Sequence, residues 1–214
     1  MTKSECLDKY FALMKQRPQL FADSAILPIE KDRTVIEQFV ADTGKTVGVI
    51  YQSKFNCWIV DLVHGSNGKM FTYERAVPAA DGRGVVCVPV YKGQYILLKQ
   101  YRHAIRDSQI CFPRGFGESG VASAANAQRE LFEEIGASVK NVKKLGEVAA
   151  DSGLTSAVAD VYLCEVDSFD NTARAERIAE IFLCSHHSLK TMAEHGEIND
   201  GFTLSALAML PLDL

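Results

Sequence analysis

"PRGFGESGVASAANAQRELFEEIG", Pro113 to Gly136, joins a glycine-rich loop to an acidic amphipathic segment, and its reading decides the fold. Gly115, Gly117 and Gly120 match Gly-x-Gly-x-x-Gly, the spacing with which dinucleotide-binding folds bring backbone against a pyrophosphate. That reading wants an acid about 20 residues beyond the glycines, at the end of the next parallel strand, and a helix start left clear for the phosphates. Here the acids that follow lie inside the helix, and the segments before the loop read as antiparallel strands. A redox cofactor is therefore not expected.

The helix is read from about Ser123 to Ile135, closed by Gly136. Projected on a helical wheel, Ala124, Ala127, Leu131, Phe132 and Ile135 form the expected buried stripe. Glu130, Glu133 and Glu134 fall together on an arc of about 100° beside it. Like charges at these spacings cost a few tenths of a kcal/mol per pair in water, and more where a core edge lowers the dielectric. Arg129 neutralises at most one of them. A hard divalent cation such as Mg²⁺ or Mn²⁺, which takes carboxylate oxygens, supplies the missing charge. For an arbitrary Glu-x-x-Glu-Glu a solvated face is the simpler reading; the glycine loop directly ahead favours a site.

Outward from this stretch, "VVCVPVY" and "YILLKQY" flank Lys92-Gly93-Gln94 as a hairpin, and "SQICFP" reads as a short strand. Strands follow the helix near "VKKLGEVAA", "ADVYLCEV" and "IAEIFLCS". Two helices close the chain, one from Ser188 to about His195 and one capped by Asp200. Toward the N-terminus, helices are expected over Ser4–Gln16 and Asp32–Val40. Strand material then runs through "KTVGVIYQS", "CWIVDLVHG" and "KMFTYERA", the last two joined at Asn67-Gly68. The composition turns to loop around "AADGRG", residues 79 to 84. Strands outnumber helices and several are hairpin-linked, so the expected class is α+β with a mixed sheet. An N-terminal helical and antiparallel appendage over 1–80 would precede the main domain over 81–214.

The 214 residues carry a net charge of −4, which provides no broad basic surface and argues against duplex nucleic acid as a partner. Six cysteines are scattered without a Cys-x-x-Cys pair, as expected of buried reduced thiols rather than a zinc cluster. The first residues are charged throughout, and no stretch has the roughly 18 apolar residues of a membrane span. A cytoplasmic, soluble protein is expected. His186, His187 and His195 read as surface or helix-edge residues, and Tyr51, Phe55 and Trp58 as core or interface.

The helix also resembles the signature of the Nudix hydrolases, which runs Gly, five residues, Glu, seven residues, then Arg-Glu-apolar-x-Glu-Glu-x-Gly-apolar. Gly115 opens the match, and Arg129, Glu130, Leu131, Glu133, Glu134, Gly136 and Ala137 close it in register. "LLKQYRHA", "FPRGFGE" and "HGEINDGFTLSALAML" are similar to the ADP-ribose-pyrophosphatase-like branch. The resemblance implies an α/β/α sandwich. It also implies metal-dependent hydrolysis of the pyrophosphate in a nucleoside diphosphate linked to another moiety, of the ADP-ribose or nucleotide-sugar class.

By the resemblance, Glu130 and Glu134 are the principal metal ligands, with Glu133 beside them and the Arg114 carbonyl completing the set. Arg129 orients the acids, Gly115 and Arg102 stand by the substrate, and Glu176 is the expected further acid, with Glu180 as fallback. A plain strand-end role for Arg102 has equal weight. Related long-form chains are homodimers, which is the expectation here. Two departures stand out: Val121 occupies the position of the signature's first Glu, and Cys111 a position where relatives place another acid. They leave open a nucleotide-binding sensor on the same fold.

Overall fold

The computed structural model describes residues 1–171 and 177–211. It forms two compact units, one of Met1–Ala79 with Asp151–Ala157, the other of Ala80–Ala150 continuing from Val158.

In the first unit, α1 (Lys3–Gln16) starts in a capping box where the Thr2 hydroxyl takes the Glu5 N–H and the Glu5 carboxylate takes the Thr2 N–H. Helix α2 (Arg33–Thr43) is capped by Asp32 and ends at Gly44, in the left-handed region at φ 71°. It runs past the expected end at Val40 because nothing before Gly44 breaks it. Strands β1 (Gly48–Gln52), β2 (Asn56–His64) and β3 (Met70–Pro78) form an antiparallel meander. Leu7, Tyr10, Phe21, Ile36, Val49 and Ile59 centre its core. Asp61 is buried there, accepting from the Tyr10 hydroxyl and Arg75 Nε, each at 2.6 Å. Residues 151–157 return to β3 through the Ala76 backbone, a long-range pairing that local periodicity does not signal. Trp58 is half-buried, whereas Tyr51 and Phe55 are exposed.

The second unit holds β4 (Gly84–Tyr91), β5 (Gln94–Arg102), β6 (Asp107–Cys111), β7 (Arg114–Gly115), α3 (Ser123–Ile135), β8 (Ser138–Val148), β9 (Ala159–Ser168), β10 (Ile178–Cys184), α4 (His186–Glu194) and α5 (Gly201–Ala208). The sheet runs β10-β5-β4-β9-β8, with β6 on β5 and β7 on β4. Only the β4–β9 pairing is parallel among the described strands, so the sheet is mixed. Side chains alternate across it with a period of two. Val85, Cys87, Ile96 and Leu98 pack with α3, while Val86, Val88, Tyr95 and Leu97 pack with α4 and α5. This is the α+β, α/β/α sandwich.

Helix α3 ends in a Schellman arrangement: the Gly136 N–H reaches the Phe132 carbonyl and the Ala137 N–H the Leu131 carbonyl, with Gly136 at φ 62°. Its buried stripe is narrower than the wheel suggests. Ala127, Leu131 and Ile135 are fully covered, but Phe132 is 59% exposed. Asn126 is buried in its stead, facing the glycine loop. Helix α4 starts two residues earlier than expected, since the Ser185 hydroxyl caps the Ser188 N–H. All six cysteines are buried thiols. Among the described residues no helix is long and apolar enough to cross a membrane.

Candidate active site

Each glycine of the loop answers a different steric demand. A Cβ at Gly115 would lie 1.9 Å from Cδ of Glu130, so the Glu130 carboxyl rests on bare backbone. A Cβ at Gly117 would lie 2.1 Å from the Gly82 carbonyl carbon, where two backbone segments touch. Gly120 has φ 77° with open space around it, a conformation glycine adopts without penalty. The loop is then tied to α3, as Asn126 Nδ2 donates to the Phe116 carbonyl at 2.9 Å.

The acids of α3 divide into two kinds. Glu130 and Glu134 point inward: the Glu130 side chain is only 14% exposed, and Glu134 carries a buried Oε2 with no hydrogen-bond partner. Burial first, then the charge of Glu130, pushes the Glu134 carboxyl up to about 7. Arg102, the Gln100 amide and the Arg114 backbone N–H oppose that rise from beside it. Glu130 is likewise raised, by burial ahead of its acidic neighbours, with Arg129 pulling the other way. Glu133 faces outward and holds Arg129 at 3.1 Å. Among the described residues no three His, Cys, Asp or Glu side chains converge into a preformed ion nest.

Arg129 does more than offset one charge. Its Nη1 contacts Glu118 and Glu133 at 3.1 Å each, and its Nη2 contacts Glu130 at 3.2 Å and Asn126. Glu118 thus meets the arginine, with valine at position 121. Glu118, Glu130, Glu133 and Glu134 still outnumber the nearby Arg102 and Arg129, and a buried carboxylate oxygen remains unsatisfied. Both observations fit a divalent cation between Glu130 and Glu134.

Arg102 ends β5, donating through Nη2 to the Cys111 sulfur at 3.3 Å, while its Nε is buried without a partner. Cys111 is fully buried and belongs to the α3-side core, yet its thiol also points to Gln100 Oε1 at 3.9 Å. The Arg114 side chain is engaged as well: Nη1 pairs with Asp200 at 3.2 Å and the guanidinium lies 4.7 Å above the Phe202 ring. Glu176 lies outside the described residues. Glu180 is exposed on β10, opposite Lys99. Asn126, Gln100 and Asp200 escaped the sequence reading of the site. For Asn126 the signal is present in the spacing, since it precedes Glu130 by one turn on the same face.

The site is thus an acidic helix laid against a glycine loop, at one face of a mixed sheet between helical layers. The family model of the NUDIX domain matches residues 81–203, and the chain belongs to the Nudix family. An ADP-ribose pyrophosphatase of Bacillus subtilis (strain 168) is 25% identical over 166 residues, spanning 76% of this chain and 89% of that relative. A solved structure, of an ADP compounds hydrolase, has the same fold at TM-score 0.67 and 19% identity, covering 77% of this chain and 89% of the other. The chain is a pyrophosphohydrolase. Hydrolases of this family generally use divalent metal ions.

Proposed function

We propose that the protein hydrolyses the pyrophosphate bond of a nucleoside diphosphate linked to a sugar, of the ADP-ribose or nucleotide-sugar class, with Mg²⁺ or Mn²⁺. The observation carrying this is the pair of inward carboxylates, Glu130 on the bare backbone of Gly115 and Glu134 with a buried unpartnered oxygen. Glu130, Glu134 and the Arg114 carbonyl would hold the ion, with Glu133 beside them. The chemistry a divalent cation supplies there is charge neutralisation on phosphate oxygens and acidification of water. Arg129 keeps Glu130 oriented, and Arg102, with an unused buried Nε, is the donor offered to a substrate phosphate. Glu176 is retained as the further acid.

The contact of Glu118 with Arg129 supports hydrolysis over a sensor role, because it supplies an acid to the arginine in spite of Val121. Incubation with ADP-ribose, sugar nucleotides and dinucleoside polyphosphates, with Mg²⁺ or Mn²⁺, tests the proposal. Cleavage of the first two classes is expected; tight nucleotide binding without turnover on any would favour the sensor. The proposed setting is a cytoplasmic homodimer. Light scattering should return twice the 23.5 kDa chain mass, and a monomer would refute it.

A further inference from the structure

The two inward carboxylates share one short piece of backbone. Glu130 rests on Gly115, and the Arg114 N–H interacts with Glu134, so strand β7 is the plate on which both acids are set. Two residues suffice for it only because neighbours grip it. Val85 and Val86 of β4 pair with it, and the Cys87 N–H donates to the Pro113 carbonyl at 2.9 Å.

A second grip comes from the first turn of α5. The Phe112 N–H donates to Thr203 Oγ1 at 3.0 Å, and that hydroxyl donates its own proton to Asp200 Oδ2 at 2.8 Å. The same oxygen caps the helix by accepting the Thr203 N–H at 3.0 Å. Asp200 Oδ1 is left for Arg114 Nη1, at 3.2 Å. The carboxylate is 4% exposed, and its two oxygens have separate duties: one builds the helix start, the other pulls in the arginine whose backbone carries the site. Phe202 lies under the guanidinium and closes the clamp.

We infer that Asp200, seconded by Thr203, is a positioning residue for the hydrolysis: it acts through Arg114 and Phe112 to hold β7 in register with Glu130 and Glu134. The inference rests on the proposed reading of those two acids as the ion-holding pair. It makes a C-terminal helix that contributes no ligand part of the catalytic geometry.

Asp200→Asn separates the two duties, because the asparagine oxygen can still cap Thr203 while its amide presents donors to the donor Nη1 of Arg114. Outer partners of metal ligands are worth about 10–100-fold in activity or metal affinity. The expected result is a fall in kcat on ADP-ribose and in Mn²⁺ affinity, titrated with Mn²⁺ alone, each of about tenfold or more. KM should move less, and circular dichroism should stay native. Thr203→Val, which removes the hydroxyl that joins Phe112 to Asp200 and leaves the Asp200–Arg114 pair in place, should act in the same direction, and Thr203→Ser should restore function; this pair keeps the test decisive if Asp200→Asn fails to fold. Variants that keep kcat and Mn²⁺ affinity within about twofold, while Glu134→Gln is inactive, would overturn the clamp alone. Turnover surviving in Glu134→Gln would instead remove the site reading beneath it.

Discussion

Glu134 is where charge and burial conflict most openly. A carboxyl whose folded value stands at about 7 against an ordinary 4.5 binds its proton more tightly folded than unfolded. Metal-free stability is therefore highest below about pH 4.5 with respect to this group and falls as pH rises to about 7, by roughly 3 kcal/mol as an upper bound. Glu134→Gln removes that loss. The variant should melt higher than the parent at pH 8 without metal, yet lose turnover by more than the hundredfold typical of outer-shell partners. Equal melting temperatures would show that the carboxyl is not desolvated as described. Position 121 is the second test at this scale. Since Arg129 already meets Glu118 and Glu133, Val121→Glu should leave kcat within about threefold, whereas a large gain would mean that Glu118 does not serve the arginine.

At the scale of elements, the glycine loop makes two contrasting predictions. The atoms that a Cβ at Gly115 would strike are the far end of the flexible Glu130 side chain. Gly115→Ala should fold normally but push that carboxylate away, lowering turnover with little change in melting temperature. At Gly117 the obstruction is the backbone of Gly82 and Arg83, which has nowhere to swing. Gly117→Ala should cost about 2 kcal/mol or more in stability, within the range for strained or overpacked sites, measured by denaturant unfolding. A reversed order of the two melting temperatures would refute this division of labour. The Gly-x-Gly-x-x-Gly match is thus accounted for by close approaches and a turn inside the loop.

For the molecule as a whole, the two units have separate cores, and the first encloses one buried carboxylate, Asp61. Asp61 is satisfied by Tyr10 and Arg75. Tyr10→Phe leaves that charge with one donor fewer and should destabilise the protein by about 1–3 kcal/mol while kcat on ADP-ribose stays near normal. A parallel loss of kcat at temperatures well below unfolding would contradict the independence of the site from this core.

By itself the sequence determined what depends on near neighbours: the span of α3, its Gly136 stop, the common arc of Glu130, Glu133 and Glu134, the β4–β5 hairpin and the Asp200 cap. These follow from backbone periodicity and capping chemistry, which act over a few residues. Only the tertiary structure decided that Glu133 faces solvent with Arg129 while its two neighbours turn inward, that Phe132 is exposed and Asn126 buried, and that Asp200 reaches Arg114 across 86 positions of chain. Burial and long-range pairing depend on which surfaces the sheet and α5 bring together, and no local pattern encodes that choice.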